Sequence, residues 1–347
     1  MKKLFFALIC CFTATWCLAN DGGDDKNYKY SQERKIDKVY DVQPNCELEM
    51  DGIHSDYIIT TWDQPQISFE VKVLVRSDKE KAVKYLIDII NVEFVQEGDL
   101  VRARTVFENK TNRSFNASVS IKYYVKVPED VRMDLETRYG DIIVETVKKD
   151  FKAEVKYGSL TAGNLLADNE IEIKYGDFSI AYAKNLELDM KYSDGKINKV
   201  EFIDADIEYS DFTSTEVVKG VFENEYSDIR IENANDVKAK NRSSDMKIAN
   251  LTQKLNVDAK HSPLTVTVGA IKPEIYIKGQ YSDVKLNVNE NSVFKYDVRT
   301  TYGDIICGDV MGSNAGKISE GRIAGKHGDG GAGSIKAELQ YGDFRIE

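Results

Sequence analysis

Histidine is scarce in this chain: three residues in 347, His54, His261 and His327, each in a different region. No Cys/His cluster has zinc-ligand spacing, and neither His-Glu-x-x-His nor Gly-x-Ser-x-Gly occurs. No motif calls for a metal or cofactor, and no residue stands out as catalytic. Cysteine is scarcer still in the body of the chain. Of five, Cys10, Cys11 and Cys17 crowd the N-terminus, leaving Cys46 and Cys307, too few for a disulfide framework. Basic residues are in deficit, 47 against 58 acids, for a net charge of −11. Such a surface offers nucleic acid no basic patch. After the N-terminus no run is apolar enough to cross a bilayer.

The first residues have a character of their own. Met1-Lys2-Lys3, an apolar run from Leu4 to about Thr13, and small residues ahead of a break after Ala19 read as a secretory signal peptide, residues 1–19. Its removal takes away two lysines and no acids, so the charge becomes −13. Export from a bacterial cytoplasm is expected, to the periplasm, the cell surface or beyond. Residues 20–37 are polar and read as a flexible leader.

What is abundant is a tripeptide. Tyr139-Gly-Asp141, Tyr157-Gly-Ser159, Tyr175-Gly-Asp177, Tyr192-Ser-Asp194, Tyr209-Ser-Asp211 and Tyr226-Ser-Asp228 recur at spacings of 17 or 18 residues. The register continues through Ser243, His261, Tyr281, Tyr302 and Tyr341. A fixed short period is the signature of stacked repeats. Aligned on the Tyr, positions −4 and −2 are apolar (Ile171 and Ile173, Leu188 and Met190), as are +3, +5 and +8 (Phe178, Ile180 and Ala183). Alternation of this kind makes strands with one buried face, and the Gly/Ser-Asp pair marks a corner, where small and Asx residues tolerate a left-handed backbone. The fold class is therefore all-β: a single-chain β-solenoid, or β-helix, of 17–18-residue coils over 131–347. Cys307, on the +5 column after Tyr302, is expected buried and free.

Parity places each Tyr with the inward residues, so the column predicts an internal stacked ladder rather than an exposed, ligand-binding strip. The corner acids Asp177, Asp194, Asp211, Asp228 and Asp245 would stand about 5 Å apart, with Asp141 at the same position beyond the interruption at Ser159. Their repulsion is expected to be offset by capping of turn N–H groups, as in Asx-turns, rather than by divalent cations. Between corners, outward positions are charged: Glu136, Glu154, Glu172, Asp189, Asp206 and Glu223 at −3, with Arg138, Lys156, Lys174 and Lys191 at −1. Solubility is their expected role.

Residues 38–130 read as strands capping the solenoid. Ser77-Asp-Lys-Glu80 has capping-box spacing ahead of Val83, Ile87 and Ile90, predicting a helix over 78–91. Glu97-Gly-Asp99 predicts a hairpin turn, and His54-Ser-Asp56 looks like a further copy of the corner. Residues 311–333 are Gly-rich and read as a loop.

The stretch Tyr124-Val-Lys-Val-Pro128 to Arg138-Tyr-Gly-Asp-Ile-Ile-Val144 resembles the entry into the bacterial exported "putative adhesin" domains of unknown function, themselves similar to autotransporter adhesin heads. The close, Ile335-Lys-Ala-Glu-Leu-Gln-Tyr-Gly-Asp-Phe-Arg-Ile346, is similar too, and the resemblance covers roughly residues 38–347. It implies a non-catalytic, adhesin-like envelope or surface module binding an unidentified glycan or envelope protein. A carbohydrate-active β-helix enzyme, of polysaccharide lyase or hydrolase type, is the alternative. Coils this short, with almost no insertions between Tyr139 and Ser262, leave little room for a catalytic cleft.

Overall fold

The computed structural model describes residues 27–108, 116–308, 316–329, 331 and 333–347. The segment 1–19, expected to be a signal peptide, lies outside the described residues. The chain runs β1 (Tyr30–Asp41), β2 (Glu47–Ile53), β3 (Ser55–Trp62), β4 (Gln66–Ser77), α1 (Glu80–Ile89), β5 (Ile90–Glu97), β6 (Leu100–Phe107), β7 (Ala117–Pro128), β8 (Arg132–Arg138), β9 (Ile142–Val147) and β10 (Phe151–Lys156). Five long strands follow, each turning through one whole coil: β11 (Ser159–Lys174), β12 (Asp177–Lys191), β13 (Asp194–Glu208), β14 (Asp211–Glu225) and β15 (Asp228–Arg242). Then come β16 (Met246–Lys260), β17 (Leu264–Val268), β18 (Glu274–Gln280), β19 (Val284–Val288), β20 (Phe294–Cys307), β21 (Gly316–His327), β22 (Gly333–Gln340) and β23 (Phe344–Ile346).

The fold is a β-solenoid. The first half of β11 pairs in parallel with β9 and its second half with β10, so each coil contributes one strand to each of two faces. From β11 to β16 the coils stack in register, Ile173 over Met190 over Ile207. In the β12 coil Phe178, Ile180, Ala183, Leu186, Leu188 and Met190 point inward, and all are buried. The column eight after the corner is reached through two outward residues, Ala181 and Tyr182, which turn the chain from one face to the other.

At both ends the stacking order departs from chain order. The coil β2–β3 is held between β6–β7 on one side and β8–β9 on the other. His54 is its corner, so the solenoid begins well before residue 131. At the far end β22–β23 is held between β18–β19 and β20. The outermost strands are covered by antiparallel neighbours: β5 on β6, β4 on β7, and β21 on β20. Paired edges of this kind remove the template that an open parallel edge offers to another chain.

Three expectations need correction. Residues 30–37 of the expected leader are strand β1, antiparallel to β4. Few of its side chains are apolar, so the pairing rests on backbone hydrogen bonds that leave no hydrophobic alternation to read. Arg34 reinforces it by donating to the carbonyls of Ile87 and Ile90 at the C-terminus of α1, where a cation also suits the helix dipole. The helix spans Glu80–Ile89 rather than 78–91. The hydroxyl of Ser77 accepts the N–H of Lys79 (3.3 Å), while Lys79 takes the cap position without a side-chain bond. Finally, much of the Gly-rich segment 311–333 is strand β21, whose single buried apolar residue, Ile323, gave no periodic signal. Cys46 and Cys307 are both buried and free, and burial pushes the Cys46 thiol up to about 11, leaving little thiolate.

Candidate functional site

The corners are built differently from the sequence expectation. The residue in the left-handed region is the Tyr itself: the tyrosines from Tyr139 to Tyr341, together with His54, Ser243 and His261, have φ between 50° and 60°. For a bulky L-residue that costs about 1–2 kcal/mol. The left-handed residue breaks the strand alternation, so the ring swings outward and the Gly or Ser after it faces in. Tyr139, Tyr157, Tyr175, Tyr192, Tyr209 and Tyr226 are each about half exposed, 48–51 %. The parity argument placed them inside; the αL corner overturns it.

At the inward corner position coils touch backbone to backbone or through Ser. A Cβ on Gly176 would stand 1.8 Å from the carbonyl oxygen of Gly158, so no side chain fits there. From Ser193 to Ser282 a serine ladder replaces glycine. Each buried Ser hydroxyl donates to the carbonyl two residues back and accepts an N–H from the coil before it: Ser210 Oγ donates to Glu208 (2.7 Å) and accepts from Ser193 (3.1 Å). The pattern repeats through Ser227, Ser244, Ser262 and Ser282. The corner is thus hydrogen-bonded from within, which holds every Tyr in the same pose.

The rings form a ladder on the outside. Tyr139, Tyr157, Tyr175, Tyr192, Tyr209 and Tyr226 stack at 5.0 Å between centroids with planes 2–13° apart. His54 extends the row at 5.3 Å from Tyr139. Ser243 interrupts it, and a second row runs His261, Tyr281, Tyr341, Tyr302 at 4.8 Å. Neighbouring rings shut each other's faces. What solvent sees is a straight line of ring edges and phenol hydroxyls.

The corner acids fall into two classes. Where the next coil in the stack carries Gly at its corner, the carboxylate caps that coil rather than its own turn: Asp56 accepts from Asp141 N–H (3.1 Å), and Asp141 accepts from Ser159 N–H (2.7 Å) and hydroxyl (2.8 Å). Asp283 and Asp343 act likewise. At the Ser corners the N–H of Asp211 goes instead to the carbonyl of Ser193 (3.2 Å), and that of Asp228 to Ser210 (3.1 Å). Asp177, Asp194 and Asp211, each facing a coil with Ser at its corner, are exposed. Among the described residues no group of three or more His, Cys, Asp or Glu side chains is arranged to hold a metal ion.

Beside the ladder the −3 acids form an unbroken in-register row, Asp51, Glu136, Glu154, Glu172, Asp189, Asp206 and Glu223, closed by Lys240. Ion pairs offset part of the repulsion: Lys156 with Glu154, Lys174 with Glu172, Lys240 with Glu223 (2.5 Å). Elsewhere the field shows. Glu136 is pushed above the ordinary carboxylate range by burial, then by Glu154 and Asp51. A folded-state value raised above the unfolded one gives stability that is complete below the unfolded value and is lost as pH rises through the folded one. Glu136→Gln is therefore expected to raise the melting temperature at pH 7 and to change it little at pH 3.5. A thermal melt of both proteins at the two pH values checks this; an equal shift at both would contradict it.

A recess of about 670 Å³ lies over the C-terminal coils and is lined by residues including Asp258, Lys278, Asp297, Arg299, Arg322 and Glu338. Arg322 holds Asp297 in a fork (2.7 and 2.6 Å), and Lys336 holds Glu338 (2.9 Å). Both carboxyls are thereby lowered, the wrong direction for a general acid.

A family model described as Toastrack DUF4097 matches residues 123–347. Similar solved structures include a "putative adhesin" from Bacteroides fragilis NCTC 9343, at 10% identity over 90% of this chain and 97% of that one, with a TM-score of 0.29. Another "putative adhesin", from Parabacteroides distasonis ATCC 8503, is 12% identical over 73% of this chain and 97% of its own, TM-score 0.39. A "putative lipid binding protein" from the same organism is 12% identical over 92% and 97%, TM-score 0.33. No curated protein matches the sequence.

Proposed function

This chain belongs to the Toastrack DUF4097 family, and from that premise we propose that it is a non-catalytic, exported β-solenoid that binds an extended glycan along the outer edge of its tyrosine ladder. The observation that carries the reading is the row from His54 to Tyr226, half exposed and regular at 5.0 Å. Closed ring faces rule out stacking a sugar between rungs. A line of phenol hydroxyls, flanked by corner acids and −1 lysines, offers donors and acceptors to a hydroxyl-rich polymer laid along the stack. Each such bond contributes only about 0.5–1.5 kcal/mol net. A rigid row makes several at once with little ordering cost on the protein side.

The enzyme alternative draws less support. The outward acids stand on flat strands, and the recess carboxylates of Asp297 and Glu338 are committed to cations. Export rests on the segment 1–19, and none of the described helices is long and apolar enough to cross a membrane.

The test is a glycan array probed with the wild type and with Tyr175→Ser/Tyr192→Ser. Ser243 already occupies this corner with φ 50°, so serine suits the backbone. Binding by the wild type, reduced about tenfold or more in the double variant at a melting temperature within a few degrees, is the expected result; two lost bonds of about 0.7 kcal/mol each, within the range given above, would supply it. A wild type that binds no glycan, or a variant that binds equally well, would overturn the reading.

A further inference from the structure

We propose that the tyrosine ladder is a site of oxidative cross-linking, where a one-electron oxidant of the peroxidase–peroxide class joins neighbouring rungs into dityrosine and so staples coil to coil. The inference stands apart from glycan binding and would survive its failure.

The ladder's energetics first show that folding stability does not explain it. Each left-handed Tyr costs about 1–2 kcal/mol of backbone strain. Each stacked pair returns about 0.5–1.5 kcal/mol, and an interior rung shares two pairs, one pair per residue. The two terms roughly cancel. Asn or Gly would adopt the same backbone at less cost. A strained conformation repeated at corner after corner, and filled with Tyr at nine of them, points to a use for the phenol itself.

Oxidative coupling needs accessible phenols and a second phenol close at hand, and the ladder supplies both. The rings from Tyr139 to Tyr226 are half exposed, with their edges outward. Their centroids are 5.0 Å apart and their planes nearly parallel. Coupling between two free phenoxyl radicals waits on diffusion. Here the partner is already beside the radical, and holding reactants together removes the entropic cost of bringing them to one another. The strands beneath run about 4.8 Å apart, so a bridge parallel to the backbone hydrogen bonds asks the exposed rings to tilt about their side-chain torsions and leaves the sheet in place. Both described cysteines are buried, away from any oxidant that reaches the strip.

The chemistry balances. Each phenol gives up one electron and its hydroxyl proton to become a phenoxyl radical. Two radicals then join, ortho carbon to ortho carbon. Each of those carbons releases its hydrogen as a proton, and a proton returns to each oxygen as the rings regain aromaticity. Two tyrosines thus lose two electrons and two protons in all, which one hydrogen peroxide takes up to give two waters.

The stacking order makes the proposal specific. In the second row Tyr341 stands between Tyr281 and Tyr302, at 4.8 Å from each. Cross-links are therefore expected as 281–341 and 302–341, and not as 281–302, although 281 and 302 are nearer in sequence. In the first row each Tyr should pair with the next along the chain.

The full chain is treated with a haem peroxidase and hydrogen peroxide, followed by dityrosine fluorescence and mass-spectrometric mapping of cross-linked peptides. Each bridge shows as the loss of two hydrogens. The expected map contains adjacent rungs, with the exposed off-ladder Tyr124 and Tyr276 left out. In Tyr209→Ser the 192–209 and 209–226 peptides should vanish while 157–175 and 175–192 persist. Absence of dityrosine, cross-links chiefly between molecules, or a map in which Tyr124 and Tyr276 feature as often as the rungs would overturn the proposal. So would a 281–302 link without those to 341.

Discussion

Ile173→Asp is expected to cost about 2.5–6 kcal/mol and to unfold the middle of the stack before its ends. Ile173 is fully buried, in register between Val155 and Met190. The substitution gives up about 1.5–3 kcal/mol of apolar burial and sets a carboxyl where it has only aliphatic neighbours, a further penalty of about 1–3 kcal/mol even when the group protonates. Against a total stability of about 5–15 kcal/mol this is a large share. Coils touch only the coils beside them, so the damage should be local. Hydrogen exchange is expected to show lost protection across β10 to β13, with the β4–β7 region and the C-terminal coils holding. Uniform loss along the chain, or no loss, would contradict the nearest-neighbour picture.

Deletion of residues 333–347 is expected to do more than trim an end. It removes β22 and β23 and with them Ile335, Ala337, Leu339, Phe344 and Ile346, all buried. Burial of those side chains is worth roughly 10 kcal/mol gross. Because that coil lies inside the stack, its loss strips a partner from β18 and β19 on one side and from β20 on the other. The truncated chain should lose hydrogen-exchange protection from about residue 274 onward and melt many degrees lower, or aggregate through the strand edges it exposes. If the melting temperature and the protection of β20 are unchanged, the inserted position of this coil is wrong.

The repeat was legible because its physics is one-dimensional. Period, inward columns and corner composition are all local to about 18 residues, and together they name a solenoid. The pose of the tyrosines was not legible. Alternation was extended through the corner, and a single residue with positive φ reverses which side the next ones face; nothing in Lys174-Tyr175-Gly176 says that Tyr rather than Gly takes that conformation. The buried serines carried the missed signal. Ser193, Ser210 and Ser227 recur at the period with apolar columns on either side, and a small polar residue at an inward position could have shown that the parity shifts there. The strands β1 and β21 were missed for another reason. Both are held by backbone pairing with few inward apolar side chains, so they leave no mark on hydropathy. Stacking order is a long-range property, and spacing along the chain does not contain it.

That order bears on how such a protein changes in length. In an open solenoid a duplicated repeat can be added at either end. Here the first coil, β2–β3, and the last, β22–β23, are each clasped between two others, and the outer strands are closed by antiparallel neighbours. A coil appended to either terminus would find the parallel edges of the stack already covered by β4, β5 and β21. Coils can be gained or lost only in the interior run between β9 and β17, where each strand pairs in parallel with the next and one 17-residue unit can be spliced in without disturbing the clasps. Lineages of this fold should therefore differ by whole coils in the middle, while the two ends keep their number.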